Sequence, residues 1–193
     1  GSANLSYSFE MPPARHGMQP SLGIQYNSEG GSGLLGEGWD LSVPTISVET
    51  RWGVPRYDDI LETETYLMDG SMLVLDNGGV NYLAHRALNQ IKRSEVKRTD
   101  GAVIFHPRKE GSFSKIVRLG NSPAEYTWVV TDKSGMKYYY GMKDADGNMK
   151  GVLAGPKGIA EWKLVRIQEV HGDWIEYEYE TKDETVLGNV TAK

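Results

Sequence analysis

Gln19-Pro-Ser-Leu22-Gly-Ile24-Gln-Tyr26-Asn-Ser28 is followed by five glycines within nine residues, Gly30, Gly31, Gly33, Gly36 and Gly38, and then by Trp39-Asp-Leu41. Leu22, Ile24 and Tyr26 alternate with smaller or polar residues, the period of a strand with one buried face. The glycines permit positive φ and close backbone approach. The segment therefore predicts a strand, a compact glycine turn and a second strand anchored by Trp39.

The same pattern recurs along the chain. Leu5, Tyr7 and Phe9 alternate before Pro12-Pro13 ends the run. Strands are expected near 45–50, 65–68 and 72–75, the last two joined by the hairpin signal Asp69-Gly70. Further strands are expected over 80–83, 102–106, 114–118, 126–131, 136–141, 160–170 and 174–181, with a turn at Asn77-Gly78-Gly79. From Leu83 to Val96 the reading stays open. Leu83, Ala87, Leu88 and Ile91 could form a helical stripe, and Arg86–Gln90 favours helix by propensity. Two segments look like variants of one hairpin. Val129–Gly135 leads into Tyr138 and Tyr140, and Arg166–Gly172 leads into Tyr177 and Tyr179.

A chain of 193 residues suits one domain with a real core. Eleven Tyr against three Phe point to sheet surfaces with one wet side. The 23 glycines are spread among apolar runs and read as turns. The net charge of −5 argues against nucleic acid as a partner. Basic residues gather between Arg86 and Arg118 (Lys92, Arg93, Lys97, Arg98, Arg108, Lys109 and Lys115). Acidic ones gather between Glu161 and Glu184 (Glu169, Asp173, Glu176, Glu178, Glu180 and Asp183). Both read as solvated strand faces that could also dock neighbouring modules. There is no cysteine, which removes disulfides, thiolate chemistry and Cys-ligated metals. No apolar run approaches the ~20 residues of a membrane span. Gly1-Ser2 reads as an expression scar, and the chain as a fragment of a longer protein.

Together these blocks resemble the SpvB-like N-terminal domain, which also opens the B subunits of bacterial toxin complexes and occurs in Rhs/YD-repeat proteins. The resemblance rests on the Gln19–Leu41 segment, on Phe113–Gly120, on Trp128–Gly141, and on Ala160–Ile167 with Gly172, Ile175, Tyr177 and Tyr179. It covers most of the chain and is thinnest from Thr50 to His106. It implies an antiparallel all-β domain near the start of a large secreted or surface-delivered bacterial protein.

Candidate chemistry is sparse. Glu176-Tyr-Glu178-Tyr-Glu180 puts three carboxylates on one strand face. ADP-ribosyl transfer, known in this family, uses a Glu-x-Glu pair. The resemblance implies a separate C-terminal domain for that activity, and no Ser-Thr-Ser strand occurs here. Asp144-Ala-Asp146-Gly147-Asn148 resembles a calcium loop, but its glycine comes too early and position twelve is Gly155. It reads as a turn. His16, His85, His106 and His171 form no local pair at metal-ligand spacing. No Gly-x-Ser-x-Gly elbow and no phosphate loop appear. Trp52, Tyr57, Trp128 and Trp174 are candidate sugar platforms or core aromatics.

The expected fold is all-β, with antiparallel sheets as a sandwich or an open shell-like layer and at most one or two short helices. It is expected as a single SpvB-like domain over 1–193. The expected function is a non-catalytic structural module of a secreted or surface bacterial Rhs/toxin-complex-like virulence protein, contributing to a β-sheet shell. A carbohydrate- or cell-surface-binding β-sandwich is the alternative. No catalytic, cofactor-binding or metal-ligating residue is assigned. The expected partners are other domains of the same polypeptide or toxin complex, with self-association through bare sheet edges and a glycan as further options. Nucleic acid and a membrane span are not expected.

Overall fold

The computed structural model of the protein describes residues 3–10, 22–29, 32–33, 35–51, 53–76, 96–108 and 113–179, and every regular element among them is a strand. Asp69-Gly70 shows how local sequence sets the pattern. Both residues take positive φ, 46° and 76°, as a type I′ hairpin requires. β7 (Tyr66–Met68) therefore folds straight back onto β8 (Ser71–Leu75), with Met68 opposite Ser71.

These two strands belong to a larger antiparallel series. It runs β6 (Thr45–Val48), β7, β8, β9 (Val103–Pro107), β10 (Phe113–Leu119), β11 (Thr127–Asp132) and β12 (Lys137–Tyr140). The ten-residue β16 (Ile159–Gln168) pairs with both ends of that series. Its first half, Glu161–Lys163, meets β6, and its second half, Leu164–Gln168, meets β12. The expected antiparallel layers thus close into an eight-stranded barrel. Closure removes sheet edges, and eight strands leave an interior just wide enough for side chains to fill.

Alternation turns Ile46, Tyr66, Leu73, Phe105, Ile116, Trp128, Val130, Tyr140, Trp162 and Leu164 into the barrel, and all are buried. Trp128 sits at the centre. Its ring meets Tyr66, Phe105 and Trp162 edge-on at centroid distances of 4.9, 5.1 and 5.9 Å. Such pairs contribute about 0.5–1.5 kcal/mol each beyond burial.

Three hairpins share one loop. It joins β11 to β12, β13 (Met142–Lys143) to β14 (Met149–Lys150), and β16 to β17 (Trp174–Glu176). In each, the first loop residue donates its N–H to the carbonyl four residues on: Asp132 to Met136, Asp144 to Asn148 and Glu169 to Asp173. The fourth residue, Gly135, Gly147 or Gly172, donates back to the first. Those glycines have φ of 88°, 86° and 100°, the left-handed step of a three-residue hairpin loop. Asp132 and Asp144 add a brace. Asp132 Oδ1 accepts the N–H of Ser134 and Met136 at 2.8 and 3.0 Å, and Asp144 Oδ1 those of Asp146 and Asn148 at 2.9 and 2.8 Å. The likeness read between the first and third hairpins is this shared turn.

A second sheet stands beside the barrel, in the order β1 (Asn4–Ser8), β2 (Gly23–Asn27), β5 (Trp39–Leu41), β4 (Gly36–Glu37) and β3 (Ser32–Gly33). The strand, glycine turn and Trp-anchored strand read from the sequence are β2, β3–β4 and β5. Trp39 lies opposite Tyr26, ring centroids 5.1 Å apart. No described residue before Val43 joins the barrel core. β15 (Val152–Ala154) pairs along the outer flank of β16. The turn expected at 77–79, the strand at 80–83 and all but the last residue of the ambiguous stretch from Leu83 to Val96 lie outside the described residues.

Candidate functional site

β10 carries an arginine where its alternation calls for an apolar residue. Ile116 and Arg118 are two apart and share the inward face, and Arg118 is 1% exposed. A guanidinium there needs a carboxylate, and Glu62 supplies it in bidentate form. Arg118 Nη1 donates to Oε1 at 2.7 Å and Nη2 to Oε2 at 2.8 Å. Arg118 Nη1 also donates to the Tyr66 hydroxyl at 3.2 Å. The guanidinium carbon lies 4.0 Å from the centre of the Tyr126 ring, a cation–π contact.

A second arginine extends the cluster. Arg98 Nη1 donates to Glu62 Oε1 at 3.1 Å and to the Tyr126 hydroxyl at 3.4 Å. Its Nη2 pairs with Glu64 and its Nε with the Asp58 carbonyl. The remaining Glu64 oxygen accepts the Tyr57 N–H at 2.6 Å and the Thr63 hydroxyl at 2.5 Å. The backbones interlock too. Glu62 N–H donates to the Val96 carbonyl and Arg98 N–H to the Ile60 carbonyl, each at 2.7 Å. Segments 57–64 and 96–98 are thereby clasped onto the Arg118 end of the barrel.

The clasp balances two cations against two anions. Burial alone disfavours the Arg118 charge, but Glu62 outweighs it, and the net effect raises the guanidinium pKa. Burial pushes the Tyr66 and Tyr126 hydroxyls up, so both stay neutral. Every carboxylate oxygen of Glu62 and Glu64 has a protein donor. Such a cluster holds geometry.

Two residues of the basic run correct the reading of a solvated face. The Arg98 and Arg118 side chains are 4% and 1% exposed, because the barrel needs both as counter-ions to Glu62 and Glu64. Lys97, Arg108 and Lys115 are exposed as expected, while Arg86, Lys92, Arg93 and Lys109 lie outside the described residues. Glu176 and Glu178 are exposed, and Glu176 pairs with Arg166 at 3.3 Å. Tyr177 and Tyr179 are half-buried on the other face. Glu180, Asp183 and Glu184 lie outside the described residues. Asp144, the would-be calcium ligand, spends its carboxylate on its own turn.

His106 Nε2 meets Asp76 Oδ2 at 3.0 Å on the surface, and His171 is exposed. His16 and His85 lie outside the described residues. Among the described residues no three His, Cys, Asp or Glu side chains stand together as metal ligands. Of the candidate sugar platforms, Trp128 is barrel core. Tyr57 is half-buried, donating its hydroxyl to the Ile159 carbonyl at 3.2 Å. Trp174 is 55% exposed, with the Arg166 guanidinium 4.9 Å from its ring centre. Trp52 lies outside the described residues.

An open cleft lies between the small sheet and the barrel. Gln25, Asp40, Val43, Thr45, Glu161, Lys163 and Tyr179 line it. Burial pushes the Glu161 carboxyl up, with Lys163 opposing and Asp40 adding to the shift. Among the described residues no helix is long and apolar enough to cross a membrane.

A closed antiparallel barrel, locked by an internal Arg–Glu clasp and flanked by a small sheet, defines an all-β module. More particularly, the chain belongs to the SpvB family: the family model described as Salmonella virulence plasmid 65kDa B protein matches residues 1–192. Its fold recurs within toxin assemblies. A crystal structure of TcdB2-TccC3-Cdc42 matches with a TM-score of 0.70 at 25% identity, over 96% of this chain and 8% of that one. The Photorhabdus luminescens Tc holotoxin pore matches with a TM-score of 0.69 at 26% identity, over 96% and 8%. The N-terminal domain of the effector SpvB from Salmonella typhimurium strain LT2 shares the fold, with a TM-score of 0.64 at 24% identity, over 94% of this chain and 57% of that domain. The chain thus spans about a twelfth of the toxin-complex chains. No curated protein matches it in sequence.

Proposed function

We propose that this module is a non-catalytic scaffold within a large secreted or surface-delivered bacterial protein of the toxin-complex or Rhs/YD-repeat kind. There it contributes a sealed β layer to a shell formed with neighbouring domains. One observation carries the reading: the buried ionisable cluster is consumed internally, each carboxylate oxygen by a protein donor. A shell wall needs few bare strand edges, and the pairing of β16 with both β6 and β12 supports that role. The recurrence of the fold as a small slice of Tc toxin chains supports the same reading.

The test is made in the parent polypeptide. Arg118→Met is expected to expose downstream segments to protease, whereas Glu176→Gln and Glu178→Gln leave protection and every activity unchanged. Turnover in ADP-ribosylation or hydrolase assays that a single Asp or Glu substitution within this module abolishes would overturn the proposal.

Trp174 supports a second reading, a glycan-binding face, because it is exposed on the edge strand β17. Glycan-array binding lost in Trp174→Ala at unchanged melting temperature would favour it. A blank array for the unmodified chain removes it.

A further inference from the structure

The small sheet is built the wrong way round for a barrel-packing layer. Leu5 lies opposite Tyr26, which lies opposite Trp39; Tyr7 lies opposite Ile24. Residues directly opposite in an antiparallel pair share a face, and Phe9 continues that face by alternation. The other face carries Ser6, Gln25 and Asp40. Gln25 and Asp40 line the cleft shared with Thr45 and Glu161, so the polar face looks towards the barrel and the apolar face looks away. Leu5, Tyr7 and Phe9 are 59%, 62% and 42% exposed. Tyr7 and Phe9 meet edge-on at 5.8 Å, presenting a contiguous aromatic ridge. Among the described residues β1 is also an edge strand, pairing only with β2, and its five residues carry no charge. Ile24, Tyr26 and Trp39 on the same face are half-buried, so it is the β1 end of the face that stands uncovered, and such an end is unfinished as a folding unit.

We propose that this face is the docking surface for the polypeptide that continues the module in its parent protein, an apolar β surface with a neutral or basic rim. The proposal rests on the scaffold reading above. Two observations select this occupant. The solved N-terminal domain of the Salmonella effector extends well beyond the part that this chain covers, so a domain of this kind has further structure to place. The rim is acidic: among the described residues before Val43, Glu10, Glu29 and Glu37 are exposed and no Lys or Arg occurs. A second copy would bring the same acidic rim and be repelled, and an anionic lipid surface is disfavoured for the same reason. A neutral or basic β surface meets no such cost. Two-sided closure follows, with the barrel sealed by its own strands and the small sheet by its neighbour.

Hydroxyl-radical footprinting of the 193-residue chain and of the parent polypeptide tests this. In the short chain, Tyr7 and Phe9 are expected to label as exposed aromatics, and Trp128 to stay protected. In the parent, Tyr7 and Phe9 labelling is expected to fall several-fold, towards the Trp128 level. Leu5→Ser with Tyr7→Ser restores Phe9 labelling in the parent and leaves the short chain's melting temperature unchanged. Equal labelling of Tyr7 in both proteins overturns the proposal. Protection in the short chain that grows with its concentration assigns the face to a second copy and overturns it as well. Neither result bears on turnover, so the scaffold reading can stand or fall separately.

Discussion

The barrel and the small sheet are made from the same alternating pattern, yet they solve burial in opposite ways. In the barrel, β16 meets both β6 and β12, and every inward side chain finds others across the lumen. In the small sheet, Leu5, Tyr7 and Phe9 alternate just as well, but they stay exposed, with no layer facing them among the described residues. Alternation specifies one apolar face per strand. Whether that face is satisfied depends on closure, which is a property of the whole chain. Only the closed unit can hold a buried ion cluster, because only there is water excluded from all sides.

The largest expected effect breaks the barrel from inside. Arg118→Met leaves the Glu62 carboxylate without its bidentate partner, and unfolding in denaturant should show a loss of about 3–5 kcal/mol. The double variant Arg118→Met with Glu62→Leu should recover much of it, since an apolar pair of similar volume replaces an ion pair at little cost. Trp128→Ala comes next, a central cavity costing about 3–5 kcal/mol. Trp174→Ala on the exposed edge should cost under about 0.5 kcal/mol, as surface changes do. A large loss there would mean that β17 is core.

Smaller effects sharpen the contrast at the turns and the cleft. Asp132→Ala removes an acceptor for two backbone donors and should cost about 1 kcal/mol by the same denaturant measurement. Glu161 gives a pH signature. Its carboxyl sits above the ordinary 4.5 because burial penalises its charge, with Lys163 opposing and Asp40 reinforcing. The folded state therefore holds this proton more tightly than the unfolded chain, and stability falls as pH rises through the raised value. Glu161→Gln should be more stable than the unmodified chain at neutral pH, with the gap closing as pH falls towards 4.5. A gap that widens on acidification would reverse the assignment. Smallest of all, Leu5→Ser should leave the stability of this chain unchanged.

Much of the fold was legible because its signals are local. Asp69-Gly70 reports its own hairpin through positive φ. Asp132 and Asp144, each three residues before a glycine, report braced loops, and Trp39 reports a strand that pairs with Tyr26. Closure was not legible. The contact between Tyr138 and Ile167 leaves no trace in either segment. The clasp was half legible. Arg118 shares parity with Ile116, which places it inside a strand read as one-sided. Its partner lies 56 residues away, in the stretch where the family resemblance is thinnest, and Glu62-Thr-Glu64 looks like any polar turn. A run of cations reads as solvated until the fold supplies anions for two of them.

Native-state amide exchange tests the central contrast most directly. The barrel amides of Tyr138–Tyr140 and Leu164–Gln168 should exchange only through global unfolding, together with those of β10 and β11, while β1 amides exchange far faster. Rapid exchange along the β12–β16 seam, or β1 amides as slow as those of β11, would contradict the account.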